Sequence, residues 1–124
     1  MIYLDTHVVV WLYEHRHEKL SRTALRLLQR EPGWISPIVM LELEILYERE
    51  RLPVDPDTLR CGLENSVGLS VSEPTMAHVI KAARTFAWTR DPFDRLIVAN
   101  AMADGARLLT ADETIRRHFK DAIW

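Results

Sequence analysis

Near its start the chain reads Ile2-Tyr3-Leu4-Asp5-Thr6-His7-Val8-Val9-Val10-Trp11-Leu12, and this stretch decides the fold. Its first three residues are an apolar run that predicts a short buried strand, which Asp5 closes. The residues that follow place Val8, Trp11 and Leu12 at helical spacing, so we predict a helix over Thr6–His15. A strand that leads directly into a helix is the building unit of a parallel sheet covered by helices.

The same alternation of short strands and amphipathic helices continues along the chain. Further strands are predicted over Trp34–Ser36, Leu69–Ser72, Arg107–Thr110 and Asp121–Trp124. Further helices are predicted over Lys19–Arg30, from Pro37 to about Arg51, over Asp57–Asn65, Pro74–Trp88 and Pro92–Asp104, and from Asp112 or Glu113 to about Phe119. We therefore expect an α/β fold with one domain over residues 1–124, a three-layer α/β/α sandwich whose short-stranded sheet is mostly parallel.

The composition fits one globular domain. Of the 124 residues, 48% are hydrophobic and 27% are charged, which is an ordinary balance. The longest apolar run, Val8 to Leu12, is far shorter than the roughly 20 residues that cross a bilayer, so we expect no membrane segment. Cys61 is the sole cysteine and no secretion leader is recognisable, so we expect a cytoplasmic protein. The net charge of −2 gives no general attraction to nucleic acid.

Four acidic residues stand beside apolar segments, where a folded protein normally avoids charge: Asp5, Glu42, Asp94 and Asp112. Carboxylates are rarely buried unless they are paired or bind a metal. Asp5 and Asp112 follow strand ends, which is where parallel sheets place their ligands. Four carboxylates gathered there would repel one another unless protons or a divalent cation neutralised them. Because oxygen ligands select hard ions, we expect Mg²⁺ or Mn²⁺ at such a site.

Glu42 carries the strongest part of this prediction. On a helical wheel that begins at Pro37, Glu42 lies near the middle of an apolar arc formed by Ile38, Val39, Leu41, Leu43, Ile45 and Leu46. Glu44 and Glu48 lie outside that arc, on a solvated face. An unpaired buried carboxylate is costly, so Glu42 needs either a metal or a buried salt bridge.

Helix capping is the ordinary alternative for Asp94 and its neighbour. Asp91 is expected to cap the helix that begins at Pro92, and this places Asp94 in the first turn. The helix dipole stabilises an acid in that turn. An acid that faces a crevice at the strand ends is equally well placed to bind a cation.

Capping is also an alternative for the two acids that follow strands. Asp5 and Asp112 each stand where a helix cap is expected, and aspartate is a common cap. Thr110 and Glu113 fit a capping box, with Thr110 as the cap and Glu113 reaching back to it. We expect that arrangement to leave Asp112 available for another role.

Four short motifs contain these acids. They are Tyr3-Leu4-Asp5-Thr6-His7, then Ser36 followed six residues later by Glu42, then Asp91-Pro92-Phe93-Asp94-Arg95-Leu96-Ile97 with Ala99 and Ala101, and finally Leu108-Leu109-Thr110-Ala111-Asp112. In order and spacing they resemble the motifs of PIN-domain nucleases, especially the VapC-like toxins of bacterial toxin–antitoxin pairs. Each motif is modest alone, and the four together extend over nearly the whole chain.

This resemblance implies a PIN-like fold and metal-dependent cleavage of RNA phosphodiester bonds. It implies that Asp5, Glu42, Asp94 and Asp112 are catalytic and hold one or two Mg²⁺ (or Mn²⁺) ions. It implies accessory roles for Thr6, Thr110 and Asp91, in which the two threonines position a ligand or water. It further implies a homodimer and an antitoxin partner that covers the cleft, with an arginine presented to the acids.

Three arginines near the expected cleft are candidate phosphate contacts, namely Arg90, Arg95 and Arg107. Each is equally open to a structural role, in which it pairs with a neighbouring acid, as the position of Arg95 beside Asp94 suggests. One departure from the family pattern occurs in this region. Relatives often have a histidine just before the arginine, whereas this chain has Trp88-Thr89-Arg90.

Two hypotheses follow from these residues. The first is an endoribonuclease toxin, and the second is a non-catalytic member of the same fold that serves as a protein-binding module. The second hypothesis would not need four intact acids. His7 is interpreted as a polar residue of the first helical turn in preference to a catalytic residue, because the sequence shows no partner for it.

Overall fold

A five-stranded sheet organises the molecule, whose computed structural model describes all of residues 1–124. The strands are β1 (Ile2–Leu4), β2 (Gly33–Ile35), β3 (Ser70–Val71), β4 (Arg107–Leu109) and β5 (Ala122–Ile123). They lie in the order β3-β2-β1-β4-β5, and every neighbouring pair is parallel. The chain changes direction across the sheet between β1 and β4, so the topological switch point lies at the carboxyl ends of these two strands.

Seven α-helices cover the sheet: α1 (Thr6–Tyr13), α2 (Arg22–Arg30), α3 (Pro37–Glu48), α4 (Pro56–Val67), α5 (Met76–Ala83), α6 (Pro92–Ala103) and α7 (Glu113–His118), with a 3-10 turn at His17–Lys19. Right-handed crossovers place α1 to α4 on one face of the sheet and α5 to α7 on the other. The helices α1, α3 and α4 contact one another, and α5 packs against α6. The predicted α/β fold is confirmed. The longest helices span 12 residues, and none combines the length and apolarity that a bilayer crossing requires.

The central strand β1 is the middle of an apolar core of 23 buried residues, and Ile2, Tyr3 and Leu4 expose no surface. A buried polar contact also ties β1 to α6. The Tyr3 hydroxyl donates to Asp104 and accepts from Nδ2 of Asn100 at 3.1 Å. Burial and the Asp104 carboxylate raise the pKa of Tyr3 to about 12, so the phenol keeps its proton at neutral pH. This contact fixes the position of α6, whose first turn carries Asp94.

The helix predicted over Pro74–Trp88 is shorter in the structure, since α5 ends at Ala83. The guanidinium of Arg95 donates to the carbonyl of Ala83 at 2.9 Å and to the carbonyl of Phe86 at 2.6 Å. These carbonyls bond to a side chain in place of backbone N–H groups four residues further on. Residues 84–91 are therefore an irregular segment that leads into α6.

Two other helix predictions are wrong at their ends. The helix predicted from Lys19 begins at Arg22, because the hydroxyl of Ser21 accepts from the Ala24 N–H at 3.0 Å and caps the helix there. The helix that begins at Pro37 ends at Glu48. Ser36 stands at its cap position, as predicted, but its hydroxyl forms no capping hydrogen bond.

Candidate active site

A cleft of about 270 Å³ opens at the carboxyl end of β1, between α1, α3 and α6. Three of the four predicted acids line it: Asp5, Glu42 and Asp94. Its other lining residues are Thr6, His7, Val10, Trp11 and Leu46. A larger hollow of about 600 Å³ beside α7 contains one acid, and one of about 300 Å³ beside α3 and α5 contains none. The cleft is thus the place where the sequence-predicted acids come together.

Asp5 is the most enclosed of the acids, with 4% of its surface exposed. It caps α1, since its Oδ1 accepts from the Thr6 N–H at 2.8 Å. Its Oδ2 accepts from the hydroxyl of Thr110, at the end of β4, at 2.6 Å. The two bonds come from opposite sides of the switch point, so the carboxylate of Asp5 is held in one orientation.

Glu42 reaches the cleft from α3 and is half-buried, in agreement with its place in the predicted apolar arc. The hydroxyl of Thr6 donates to its carboxylate. Burial raises the pKa of Glu42, the Thr6 hydrogen bond lowers it, and the charges of Asp5 and Asp91 raise it further. No lysine or arginine pairs with Glu42, so the alternative of a buried salt bridge is wrong. Leu41, assigned to the same arc, is 51% exposed, so the arc is narrower than predicted.

The pKa of Asp94 is raised by burial and by the negative charges of neighbouring acids. It lies in the first turn of α6, and its N–H donates to the cap residue Asp91 at 3.3 Å. Burial raises the pKa of Asp94 to about 7, and the charges of Asp5, Asp91, Asp112 and Glu42 also raise it. Repulsion between charges weakens steeply with distance in water. Asp5, Asp91, Asp112 and Glu42 therefore lie close enough to Asp94 for their charges to act on its carboxyl group.

Asp112 is the fourth acid and lies just outside the residues that line the cleft. Its Oδ1 accepts from the Ile115 N–H at 2.9 Å, so Asp112 is itself the cap of α7. The capping box predicted for Thr110 and Glu113 is therefore wrong. Thr110 is fully buried at the end of β4, where its hydroxyl donates to Asp5 and accepts from the Asp112 N–H at 3.1 Å. This hydroxyl links two of the acids.

His7 has partners that sequence reasoning missed. Its Nε2 accepts from the Ala111 N–H at 2.9 Å, which leaves the proton on Nδ1, 3.7 Å from Oδ2 of Asp5. Burial lowers the pKa of His7, while the charges of Asp5 and Asp112 oppose that change. The neutral ring packs 4.8 Å from Trp11. Ala111 is 104 residues away along the chain, and no local pattern signals such a contact.

Two of the three candidate phosphate contacts have structural roles. Arg107 pairs with Glu31 at the amino end of β4, whereas the cleft lies at the carboxyl ends of the strands. Arg95 does not pair with Asp94, because its guanidinium binds backbone carbonyls of the segment before α6. For Arg95 and Arg107 the structure therefore favours the structural role over a contact with phosphate. Arg90 is exposed, stands next to Asp91 in the chain and forms no ion pair, so its role stays a prediction.

The chemistry of the cleft suits a hard cation. Its charged donors are carboxylate oxygens, and a dication among them would relieve the repulsion that raises the pKa of Asp94. In the structure, however, no three His, Cys, Asp or Glu side chains are arranged to hold one ion together. Some of these side chains would have to move for three of them to hold one ion, and the metal site stays a prediction.

Comparison with known proteins identifies similar sequences. A family model described as "PIN domain" matches residues 2–120. "Ribonuclease VapC22" of Mycobacterium tuberculosis (strain ATCC 25618 / H37Rv) is 28% identical in an alignment of 123 residues that covers 94% of this chain and 91% of that protein.

Comparison with solved structures identifies the same architecture. VapBC2 from Rickettsia felis, bound to a DNA fragment from its promoter, matches with a TM-score of 0.68 and 20% identity, over 99% of this chain and 96% of that chain. VapBC-1 from nontypeable Haemophilus influenzae matches with a TM-score of 0.59 and 20% identity, over 100% of this chain and 96% of that chain. At this level of identity the two structures establish likeness of fold.

Proposed function

We infer, because this chain belongs to the PIN-domain family, that it is a VapC-type endoribonuclease that acts as the toxin of a toxin–antitoxin pair. The ribonuclease named among its relatives supports this inference over almost the whole chain. The observation that carries the proposal is the cleft in which Asp5, Glu42 and Asp94, from three of the four motifs, lie together. Burial raises the pKa of Asp94 to about 7, and the charges of the neighbouring acids add to that rise. Clustered acids with perturbed pKa values are typical of functional sites.

The proposed cofactor is Mg²⁺ or Mn²⁺, as one or two ions held by Asp5, Glu42, Asp94 and Asp112. Such an ion, when bound, polarises a phosphoryl oxygen, lowers the pKa of a water molecule and shields the leaving oxygen. Thr6 and Thr110 position the carboxylates, because their hydroxyls donate to Glu42 and Asp5.

Asp94 is the proposed proton-handling residue. With a pKa of about 7, it holds a proton in about half of the metal-free molecules at neutral pH. Approach of positive charge favours the ionised form, so cation binding is expected to release this proton to solvent. The ionised carboxylate then lies in the first turn of α6 facing the cleft, where it orients the attacking water.

The proposed substrate is RNA, held through its phosphates and through unstacked bases. Single-stranded loops and ends expose both, whereas the grooves of an RNA duplex are poorly accessible to side chains. Arg90 is the remaining candidate for a phosphate contact, because it is exposed and next to Asp91.

Cleavage of a structured RNA by the purified protein tests this function. We expect cutting in Mg²⁺ or Mn²⁺, none in excess chelator, and a loss of about 100-fold or more in Glu42→Gln. Glu44→Gln is the matched control, because Glu44 lies two residues away on the same helix without contact to the cleft. Undiminished cutting in chelator, or equal loss in both variants, would contradict the proposal.

A non-catalytic protein-binding module is the alternative, and one observation favours it. No three acids are arranged to hold an ion in the structure. The two functions differ in what divalent metal does to stability, since a ligand that binds the native state raises the unfolding temperature. A rise in millimolar Mn²⁺ that Glu42→Gln abolishes supports the nuclease, and the absence of any rise supports the binding module.

The proposed partners are an antitoxin and a second copy of this chain, in the cytoplasm. The two solved structures are of VapBC proteins, and this supports an antitoxin that covers the cleft. Exposed apolar side chains, Leu41, Tyr47, Met76, Ile80 and Met102, are available for such contacts. Sedimentation of the purified chain alone tests the homodimer, which is expected at twice the monomer mass of 14.4 kDa.

A further inference from the structure

Four side chains follow one another in contact, and we call this group the aromatic ladder: Arg95, Phe86, Trp88 and His118. The guanidinium of Arg95 lies 5.7 Å from the centroid of the Phe86 ring. Phe86 and Trp88 are 5.2 Å apart with 17° between their planes, and Trp88 and His118 are 5.0 Å apart with 7° between theirs. The rings are therefore nearly parallel, as they are in stacked nucleobases.

The inner end of the ladder is fixed by hydrogen bonds. Arg95 donates to the carbonyls of Ala83 and Phe86 at 2.9 and 2.6 Å, so the guanidinium and the segment that carries Phe86 hold each other in place. Phe86 and Trp88 are half-buried. The rings thus lose little freedom when another planar group stacks on them.

The outer end of the ladder is open. His118 is exposed, and its Nδ1 donates to the carbonyl of Thr114 at 2.9 Å, which sets the orientation of the imidazole. One face of this ring lies on Trp88. Because the side chain is nevertheless exposed, its other face is available to solvent, and the ladder ends in a flat surface held in a defined orientation.

The ladder is close to the acids along both helices that begin at the cleft. His118 ends α7, and Asp112 caps the same helix, so the two are about 9 Å apart along its axis. At the other end, Arg95 directly follows Asp94 in α6. This separation is short enough for a nucleotide that neighbours a phosphate at Asp94 and Asp112 to reach His118.

Positive charge flanks the ladder along the chain. Arg84 and Arg90 lie in the segment that carries Phe86 and Trp88, and Arg116, Arg117 and Lys120 surround His118 in sequence. All five of these cations are exposed and none forms an ion pair. Unpaired cations beside stacked rings are the combination that holds single-stranded nucleic acid, with the phosphates on the cations and the bases on the rings.

We propose that the aromatic ladder is a substrate subsite in which one unpaired nucleobase of the RNA stacks on the open face of His118, next to the cleavage site. This proposal rests on the proposed nuclease function and adds a position at which the base is gripped. Every base has a flat π face, so the subsite requires a base to be present and discriminates weakly among the four.

Binding of fluorescein-labelled single-stranded RNA in excess chelator tests the subsite without cleavage. We expect His118→Ala to weaken binding about 5- to 20-fold, in line with the loss of one stacked base, and to raise KM in cleavage assays with little change in kcat. His17→Ala is the matched control, because His17 is an exposed histidine on the 3-10 turn and is not part of the aromatic ladder. It is expected to bind as the unaltered protein does.

Two further comparisons separate stacking from a structural role of His118. His118→Phe keeps a flat ring and loses the hydrogen bond to Thr114, so it is expected to bind RNA as tightly as the unaltered protein. An RNA series with one abasic nucleotide moved along the strand is expected to show one sensitive position, which His118→Ala removes. Binding as weak in His118→Phe as in His118→Ala, or the same sensitive position in His118→Ala, would overturn the subsite.

The outcome for the subsite is distinguishable from the outcome for the nuclease. If His118→Ala binds and cuts RNA as the unaltered protein does, the subsite is refuted and the nuclease function stands. If no protein cuts RNA with any divalent metal, the nuclease function is refuted. If no RNA binds in chelator, the subsite as formulated is refuted as well, since stacking does not depend on metal.

Discussion

Acidic side chains are paired with cations at the amino ends of the parallel strands and are unpaired at the carboxyl ends. At the amino end, Glu31 pairs with Arg107 of β4 and with the amino-terminal group of Met1, so its charge is compensated. At the carboxyl end, Asp5, Glu42 and Asp94 face one cleft, and no lysine or arginine pairs with any of them. Charge is thus balanced where it only holds the chain together. It is left unbalanced where an incoming ligand has to supply the opposite charge.

Substitution at each end should affect catalysis very differently. Asp94→Asn removes a charge from the cleft at nearly constant shape, and we expect RNA cleavage to fall by about 100- to 1,000-fold. Arg107→Gln removes a charge from the amino end, and we expect cleavage within about twofold of the unaltered protein. Initial rates on one RNA at saturating Mn²⁺ measure both. Similar losses of cleavage rate in Asp94→Asn and Arg107→Gln would show that the unpaired acids at the carboxyl end have no special role in catalysis.

Substitution at the same two positions should change stability in opposite directions, with a gain for Asp94→Asn and a small loss for Arg107→Gln. The pKa of Asp94 in the folded protein, about 7, lies above its ordinary value of 3.8, so the folded state binds this proton more tightly than the unfolded chain does. Stability of the metal-free protein should therefore fall as the pH rises from about 4 to about 7. An asparagine side chain cannot ionise, so Asp94→Asn should be more stable at pH 8 by about 2 kcal/mol, a figure that allows for solvent screening of a half-buried carboxyl.

Denaturant unfolding in chelator checks this expectation. The gain from Asp94→Asn should be present at pH 8 and should nearly vanish at about pH 4, where the side chain at position 94 is uncharged in both folded proteins. If Asp94→Asn is less stable than the unaltered protein at pH 8, the negative charge of Asp94 does not destabilise the folded state.

The smallest effect is expected at the amino end. Arg107 and Glu31 are partly exposed, with 39% and 27% of their side-chain surfaces accessible, so their ion pair contributes about 0.2–1 kcal/mol. Arg107→Gln should lower the free energy of unfolding by that amount, and Arg107→Gln with Glu31→Gln should lower it little further. High salt should reduce the difference. A loss above about 2 kcal/mol would place Arg107 among the groups that determine the fold.

Features that depend on local periodicity were predicted well from the sequence. The five strands, the order of strands and helices, and the convergence of Asp5, Glu42 and Asp94 on one cleft all correspond to the structure, apart from the ends of several helices. Alternation and helical spacing are properties of neighbouring residues, so they are readable without knowledge of the fold. The acids were recognisable because each stands where an apolar residue would otherwise pack.

Features that depend on competition between distant groups were not predicted. Thr110 matches a capping box, but Asp5 binds its hydroxyl and Asp112 caps the helix in its place. The helix predicted to Trp88 ends at Ala83 because Arg95, twelve residues later, takes the carbonyl. In both cases local chemistry allowed two outcomes, and a residue from another element selected one.

The identity of the helices and strands, and of the acids at their ends, was therefore written in local sequence, because apolar periodicity and capping preference act over a few residues. The partner that each polar side chain meets depends on the packed fold, as with Ala111 for His7, Glu31 for Arg107 and Trp88 for His118. Those contacts depend on the parallel register of β1 with β4 and on where α6 and α7 pack. Such positions are set by the burial of the whole core, which no single stretch of sequence contains.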